Sequence, residues 1–403
     1  MVMLTGREAA FGLGGQRYAS PSVAAATPTK TIWFLLPLLM TISSISRLPV
    51  LDQGELLKYV IAACEFLSVG LMCSRVQDKR RVVLFTIFGL LFIILKFAFG
   101  ASTALLEFGQ PLLPSFQEAR FGIMLAFLPI IYRFYRSMDR RDLVRFCIYM
   151  VVFIALLDVF VFAFLAPDQA LVLGERTYQR YVCSTLFPLS AACILISRSD
   201  THPREMLTAL LVTGVLFLHA LLITTSRIET LLTAAVLVYG MSQWLRFLPI
   251  VLFSVIITLT IGVALFSGDS FEFSGEVAGR DYGYALAVAA TAFPFGFGFV
   301  TDNILRNALA VSEQYFSSDY GMLLYILRYG LPGALLALGL ISYWVAFVVR
   351  SYHRTGIMFL ALAFLAYILF IPILDYSSFA GGAVLSTMAI LGRRAHTAVP
   401  ARS

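Results

Sequence analysis

SGDSFEFSGEVAGRDYGYALAVAATAFPFGFGFVTDNILRNALAVSEQYFSSD, residues 267–319, is the last long polar stretch of a chain that is otherwise mostly apolar. The apolar segment 247–266 runs into it. Another begins at Gly321 and passes through the turn Gly330-Leu331-Pro332-Gly333. The stretch is therefore expected to be a loop between two membrane spans, facing water, with the rest of the chain as the scaffold that holds it. Long loops of this kind are usually functional, and this one carries Arg280, Asp281, Asp302, Arg306, Glu313 and Asp319.

Composition supports that reading. The 403 residues are 60% hydrophobic and only 13% charged, and mean hydropathy is +0.86, whereas a soluble domain carries about 25% charged residues. This pattern predicts an all-α polytopic membrane protein. The net charge of +7 does not come from a basic patch interleaved with exposed aromatics, as nucleic-acid binding would need, so no nucleic-acid partner is expected. The five cysteines (Cys64, Cys73, Cys147, Cys183 and Cys193) are scattered, with no CxxC and no histidine at ligand spacing. They read as packing residues and imply neither a disulfide nor a metal.

A helix needs about 20 apolar residues to cross a bilayer. Allowing shorter ones, about twelve spans are expected, near 31–46, 56–74, 82–99, 121–135, 146–166, 182–197, 206–223, 230–245, 247–266, 321–349, 355–374 and 379–392. A re-entrant segment is the alternative for the abutting pair 230–245 and 247–266, and for the short, glycine-containing last span. Basic loops stay on the cytoplasmic side. The runs at 75–81, 133–145, 198–205 and 350–354, Arg246 and both tails alternate accordingly. They hold 20 of the 30 Lys and Arg but only six of the 23 acids. Residues 1–30 have no apolar core before Thr31 and are expected to be a cytoplasmic tail, not a leader. Residues 31–392 form the membrane domain, with the outer loop at 267–320, and 393–403 form a second cytoplasmic tail. No internal repeat and no low-complexity tract is visible.

Arginines on the outer side break the positive-inside trend and so need another reason. Arg176 and Arg180, in GERTYQRY (174–181), share a face if that segment is helical. Arg227 lies in TTSRIET (224–230), Arg280 opens the long loop, and Arg328 sits just inside the next span. A guanidinium suits phosphate and stays charged, so several converging on one outer cavity would make a diphosphate site. The plainer alternative pairs Arg176 with Glu175, Arg227 with Glu229 and Arg280 with Asp281. Asp319, at the boundary between loop and span, suits a carboxylate that takes a proton from a sugar hydroxyl, and equally a helix cap. Glu65, Lys96, Asp158 and His219 are ionisable residues inside spans and functional candidates by default. Lys96 can snorkel outward, and a lone histidine is more often satisfied by a carbonyl or hydroxyl. Glu65 and Asp158 would suit a proton-coupled transporter. AFPFGFGFV (292–300) lacks the strand and third glycine of a nucleotide fingerprint. Its glycines are expected to let an aromatic segment turn at the membrane surface. DxD, HExxH and GxSxG do not occur.

The order of Ser226-Arg227 at a short outer turn, Gly279-Arg280 opening the long loop, the element Pro294-x-Gly296-x-Gly298, and Asp319 followed by Gly330-Leu331-Pro332-Gly333 resembles the O-antigen polymerase and O-antigen ligase superfamily. The resemblance covers roughly 174–345. It implies a GT-C-like membrane glycosyltransferase working on undecaprenyl-diphosphate-linked glycans. Where ligases of that family carry a His-Asn pair before the glycine turn, this chain has Asp319-Tyr320, which fits the polymerase branch better.

The resemblance further implies that lipid-linked repeat units are joined at the outer face of a bacterial inner membrane, into O-antigen or exopolysaccharide. Arg176 or Arg180, Arg227 and Arg280 would hold the departing diphosphate, with Arg328 a further candidate from its position. Asp319 would be the base, with Glu229 and Glu175 behind it, and no metal or other cofactor would be needed. A chain-length regulator is a possible partner. The alternatives are a ligase that moves the glycan to lipid A core and a flippase or other transporter of lipid-linked oligosaccharide.

Overall fold

The computed structural model describes residues 30–44, 55–76, 79–112, 114–115, 126–160, 163, 185–198, 201–223, 227–242, 287–288, 290–291, 294–300, 304, 322–351, 355–370 and 378–397. Among these every regular element is helical: α1 (Lys30–Ser44), α2 (Glu55–Arg75), α3 (Lys79–Phe108), α4 (Leu128–Ser137), α5 (Arg140–Phe160), α6 (Leu186–Ile196), α7 (Pro203–Leu218), α8 (Arg227–Ser242), α9 (Leu323–Tyr329), α10 (Leu331–Ser351), α11 (Thr355–Phe370) and α12 (Ser378–Thr397). A π turn, His219–Ile223, continues α7.

The hub is α6. Its sequence, LFPLSAACILI, is apolar all round, and all eleven of its residues are buried. A helix without a polar face must be enclosed on every side, and α5, α7, α8 and α12 pack around this one. Outside this shell α1 lies on α2 and α5, α4 on α2, α3 and α12, and α11 on α8 and α10. Trp344 of α10 is fully buried and donates its indole N–H to the Ala361 carbonyl of α11 at 2.6 Å. Cys64, Cys147 and Cys193 are buried thiols within this packing.

Among the described residues four helices are long and apolar enough to cross a membrane: Lys79–Leu106, Arg140–Phe160, Pro203–Ile223 and Leu331–Arg350. Shorter apolar helices accompany them at Thr31–Ser43, Leu186–Ile196, Glu229–Ser242 and Leu360–Leu369. The outward face of α3 presents Leu84, Phe85, Phe88, Leu91, Ile94 and Leu95, a surface suited to hydrocarbon and unsuited to water. The protein is a membrane protein, helical throughout its described elements.

Two of the basic connections expected on one side, 133–145 and 198–205, meet at one end of the bundle. Arg198 donates to the Met138 carbonyl at 2.5 Å, and Arg140 pairs with Glu205 at 3.7 Å. Asp139 caps α5 by accepting the Asp142 N–H at 2.7 Å. Three of the differences from the sequence reading bear on the site and its frame. The helix expected over 82–99 extends from Lys79 to Phe108, because a basic first turn can sit at the interface. The last span, where a re-entrant segment was the alternative, is one continuous 20-residue helix. The span expected over 321–349 is broken at Gly330. The segment 247–266 lies outside the described residues.

Candidate functional site

A break in a helix leaves C-terminal carbonyls and N-terminal N–H groups without intrahelical partners, and at membrane depth such groups are tolerated only where protein satisfies them. Here α9 ends and α10 begins at Gly330, and the segment Pro294–Val300 fills the gap. Phe297 N–H donates to the Leu327 carbonyl at 2.7 Å, and Gly298 N–H donates to the Arg328 carbonyl at 3.0 Å. Both acceptors belong to the end of α9. In the other direction the Pro294 carbonyl accepts the Leu331 N–H at 2.8 Å, a donor from the first turn of α10. One short segment therefore serves both ends of the break.

Glycines make the fit. Gly330 has φ 60°, a backbone state open to glycine and costly for other residues; a Cβ there would strike the Pro294 carbonyl. Gly298, at φ 76°, lies against the backbone of Gly100 in α3, and a Cβ on either would meet the other. A side-chain clamp completes the junction. Gln110, buried at the end of α3, donates from Nε2 to the Phe299 carbonyl at 2.9 Å and to Ser115 Oγ at 2.7 Å. Phe299 stands against Phe97 and Tyr329, with ring centroids 6.0 and 5.8 Å away, and Phe297 stands against Phe108 at 5.6 Å.

The turn at the membrane surface expected for AFPFGFGFV is therefore corrected. Among the described residues of the segment, Phe297 and Phe299 are buried and Phe295 is exposed, because the segment is the plug of a broken helix. The two glycine-containing elements singled out in the sequence, 30 residues apart, form one backbone-bonded unit. Arg328 belongs to it: it sits in the last turn of α9, where a cation suits the negative end of the helix dipole, and it is only 4% exposed.

The remaining candidates divide. Glu229 is buried in the first turn of α8 and accepts a hydrogen bond from Thr185 Oγ1 at 3.3 Å, which ties α8 to the start of α6. Arg227 opens α8, the positive end of a helix, where a cation is disfavoured unless an anion is near; its side chain is not described. Glu175, Arg176, Arg180, Arg280 and Asp319 lie outside the described residues, as does most of the 267–320 loop. α8 packs on α6, α7 and α11, whereas the plug is bonded to α9 and α10 and packed on α3.

Two arrangements escaped the sequence reading. Gln110 reaches a carbonyl 189 residues away, and nothing local marks it. His219, expected to find a carbonyl or hydroxyl, instead faces Asp158 with Nε2 2.9 Å from Oδ2; the two are buried between α5 and the π turn. Two ionisable residues in neighbouring spans were the available signal, but pairing requires the helices to be placed.

Fold and junction together define a class: an all-helical membrane protein with a discontinuous helix plugged by a glycine-bearing segment. No protein family, curated protein or solved structure matches the chain.

Proposed function

We propose that this protein is a metal-independent, GT-C-like glycosyltransferase of about twelve spans, in a bacterial inner membrane with both termini cytoplasmic. It joins undecaprenyl-diphosphate-linked oligosaccharide repeats into O-antigen or exopolysaccharide at the outer face. The observation that carries the reading is the interlock of Pro294–Gly298 with the Gly330 break, since these are two of the short elements on which the family resemblance rests. Discontinuous helices in membrane proteins commonly lie at substrate sites, with helix ends and unwound backbone turned to charged groups.

In this reading a hydroxyl of one lipid-linked repeat attacks the anomeric carbon of the growing chain. The bond from that carbon to the lipid diphosphate breaks, and the diphosphate leaves with the electron pair. Asp319 takes the hydroxyl proton, with Glu229 or Glu175 as alternatives. Arg176, Arg180, Arg227, Arg280 and Arg328 hold the departing diphosphate, where fixed donors act strongly in a site shielded from water.

The test is the glycan and lipid profile of cells lacking the gene, complemented with wild type or with Arg280→Ala. The expected result is loss of long polymer with single repeats persisting, and no rescue by Arg280→Ala. Repeats accumulating on the cytoplasmic face would instead make the protein a flippase. Full-length polymer left on undecaprenyl diphosphate would make it a ligase.

A further inference from the structure

Away from the Gly330 junction, α5, the end of α7 and the π turn line a partly open cavity of about 230 Å³. Its walls are apolar, among them Val151, Ile154, Val215 and Leu222, and its polar groups are Asp158 and His219. His219 begins the π turn, and such turns, with one extra residue, are frequent at functional sites. The ring is 7% exposed, and neither of its nitrogens makes a hydrogen bond. Nε2 stands 2.9 Å from Asp158 Oδ2, without hydrogen-bond alignment.

A buried imidazole whose nitrogens lack aligned hydrogen-bond partners is costly, and the mostly apolar walls offer a water few of the partners it needs to relieve that cost. We propose that the cavity binds the hydroxyl end of a neutral membrane lipid. A hydroxyl both donates and accepts, so it satisfies the ring in either protonation state, and its alkyl chain suits the walls. An apolar cavity of about 150 Å³ takes up benzene, so this one has room for a hydroxyl and the first carbons of a chain. Val215, Leu218 and Leu222 are also exposed on the outer side of the helix, which opens the site to the bilayer.

Depth agrees. At 1.5 Å per residue, His219 lies about 24 Å along the axis from Pro203, and Asp158 about 27 Å from Arg140. Both helices start at the basic end of the bundle, so the pair sits near the far boundary of a hydrocarbon layer about 30 Å thick. That is where lipid hydroxyls reside. The site is independent of the glycosyltransferase reading.

The test uses the full-length protein in phosphatidylcholine nanodiscs, photolabelled with an octanol that carries a diazirine at its third carbon. Label is expected to concentrate on peptides spanning 151–158 and 215–223. Excess 1-octanol should compete about threefold to tenfold better than n-nonane, a chain of nearly equal size, which is the difference one hydrogen bond makes. His219→Phe should abolish that difference and His219→Gln should retain it. Equal competition by octanol and nonane in the wild-type protein overturns the proposal even if the variants fail to fold. So does label spread along the exposed face of α3.

Discussion

Helix α6 and the junction at Gly330 are both buried, and they are buried by opposite means. In α6 the backbone is bonded mainly within the helix, so it asks its neighbours chiefly for volume, with Tyr135 Oη and Cys147 Sγ adding bonds to the Phe187 and Pro188 carbonyls; eleven apolar or small side chains fill it. The junction asks for donors, acceptors and the absence of side chains. Its contacts are carbonyls and N–H groups from α9, α10 and the Pro294–Val300 plug, closed by the Gln110 amide. A packed helix tolerates a change of shape that conserves volume. A backbone interlock does not tolerate one added methyl.

That contrast can be broken by experiment, with unfolding of the purified protein as the readout. Gly330→Ala should have the largest effect, a loss of about 3–5 kcal/mol, from forcing alanine into positive φ and displacing the Pro294 carbonyl from its partner. Near-wild-type stability would mean the interlock is not formed. Gln110→Leu should cost about 1–3 kcal/mol by leaving the buried Phe299 carbonyl without its donor; limited proteolysis between α3 and the plug should quicken in parallel. In the hub, Ile194→Val removes one buried methylene and should cost only about 0.5–1.5 kcal/mol.

The sharpest control lies within α10 itself. Nothing comes within 4 Å of a Cβ built on Gly339, so Gly339→Ala should stabilise by about 0.5–1 kcal/mol through helix propensity. The same substitution nine residues earlier has the opposite sign. Smallest of all, Leu91→Ala on the exposed face of α3 should change stability in a bilayer by less than about 0.5 kcal/mol. Lipid tails solvate leucine as well as protein does, so no hydrophobic term is lost. A large loss there would reveal a protein contact on that face.

Much of the helical architecture was legible because the hydrophobic run length needed to cross a bilayer is a local property. α1, α2, α7, α8 and α11 begin within a few residues of the apolar runs that announce them. The grouping of the 133–145 and 198–205 connections followed from charge alone. The break at Gly330 was visible only as a Gly-Leu-Pro-Gly turn, without the partner that stabilises it. Arg328 was picked out as an arginine against the positive-inside trend and Glu229 as a neighbour of Arg227, but the sequence did not say what surrounds them.

By itself, then, the sequence determined that this is an all-helical membrane protein, where its apolar helices fall, and which short glycine elements are unusual. Each of these depends on composition within one segment. The tertiary structure alone decided that Pro294–Val300 closes the gap between α9 and α10, that Gly298 meets Gly100, and that His219 faces Asp158. Such pairings join residues tens to hundreds of positions apart. Their energy depends on distances of a few ångströms between helices, which no local pattern encodes.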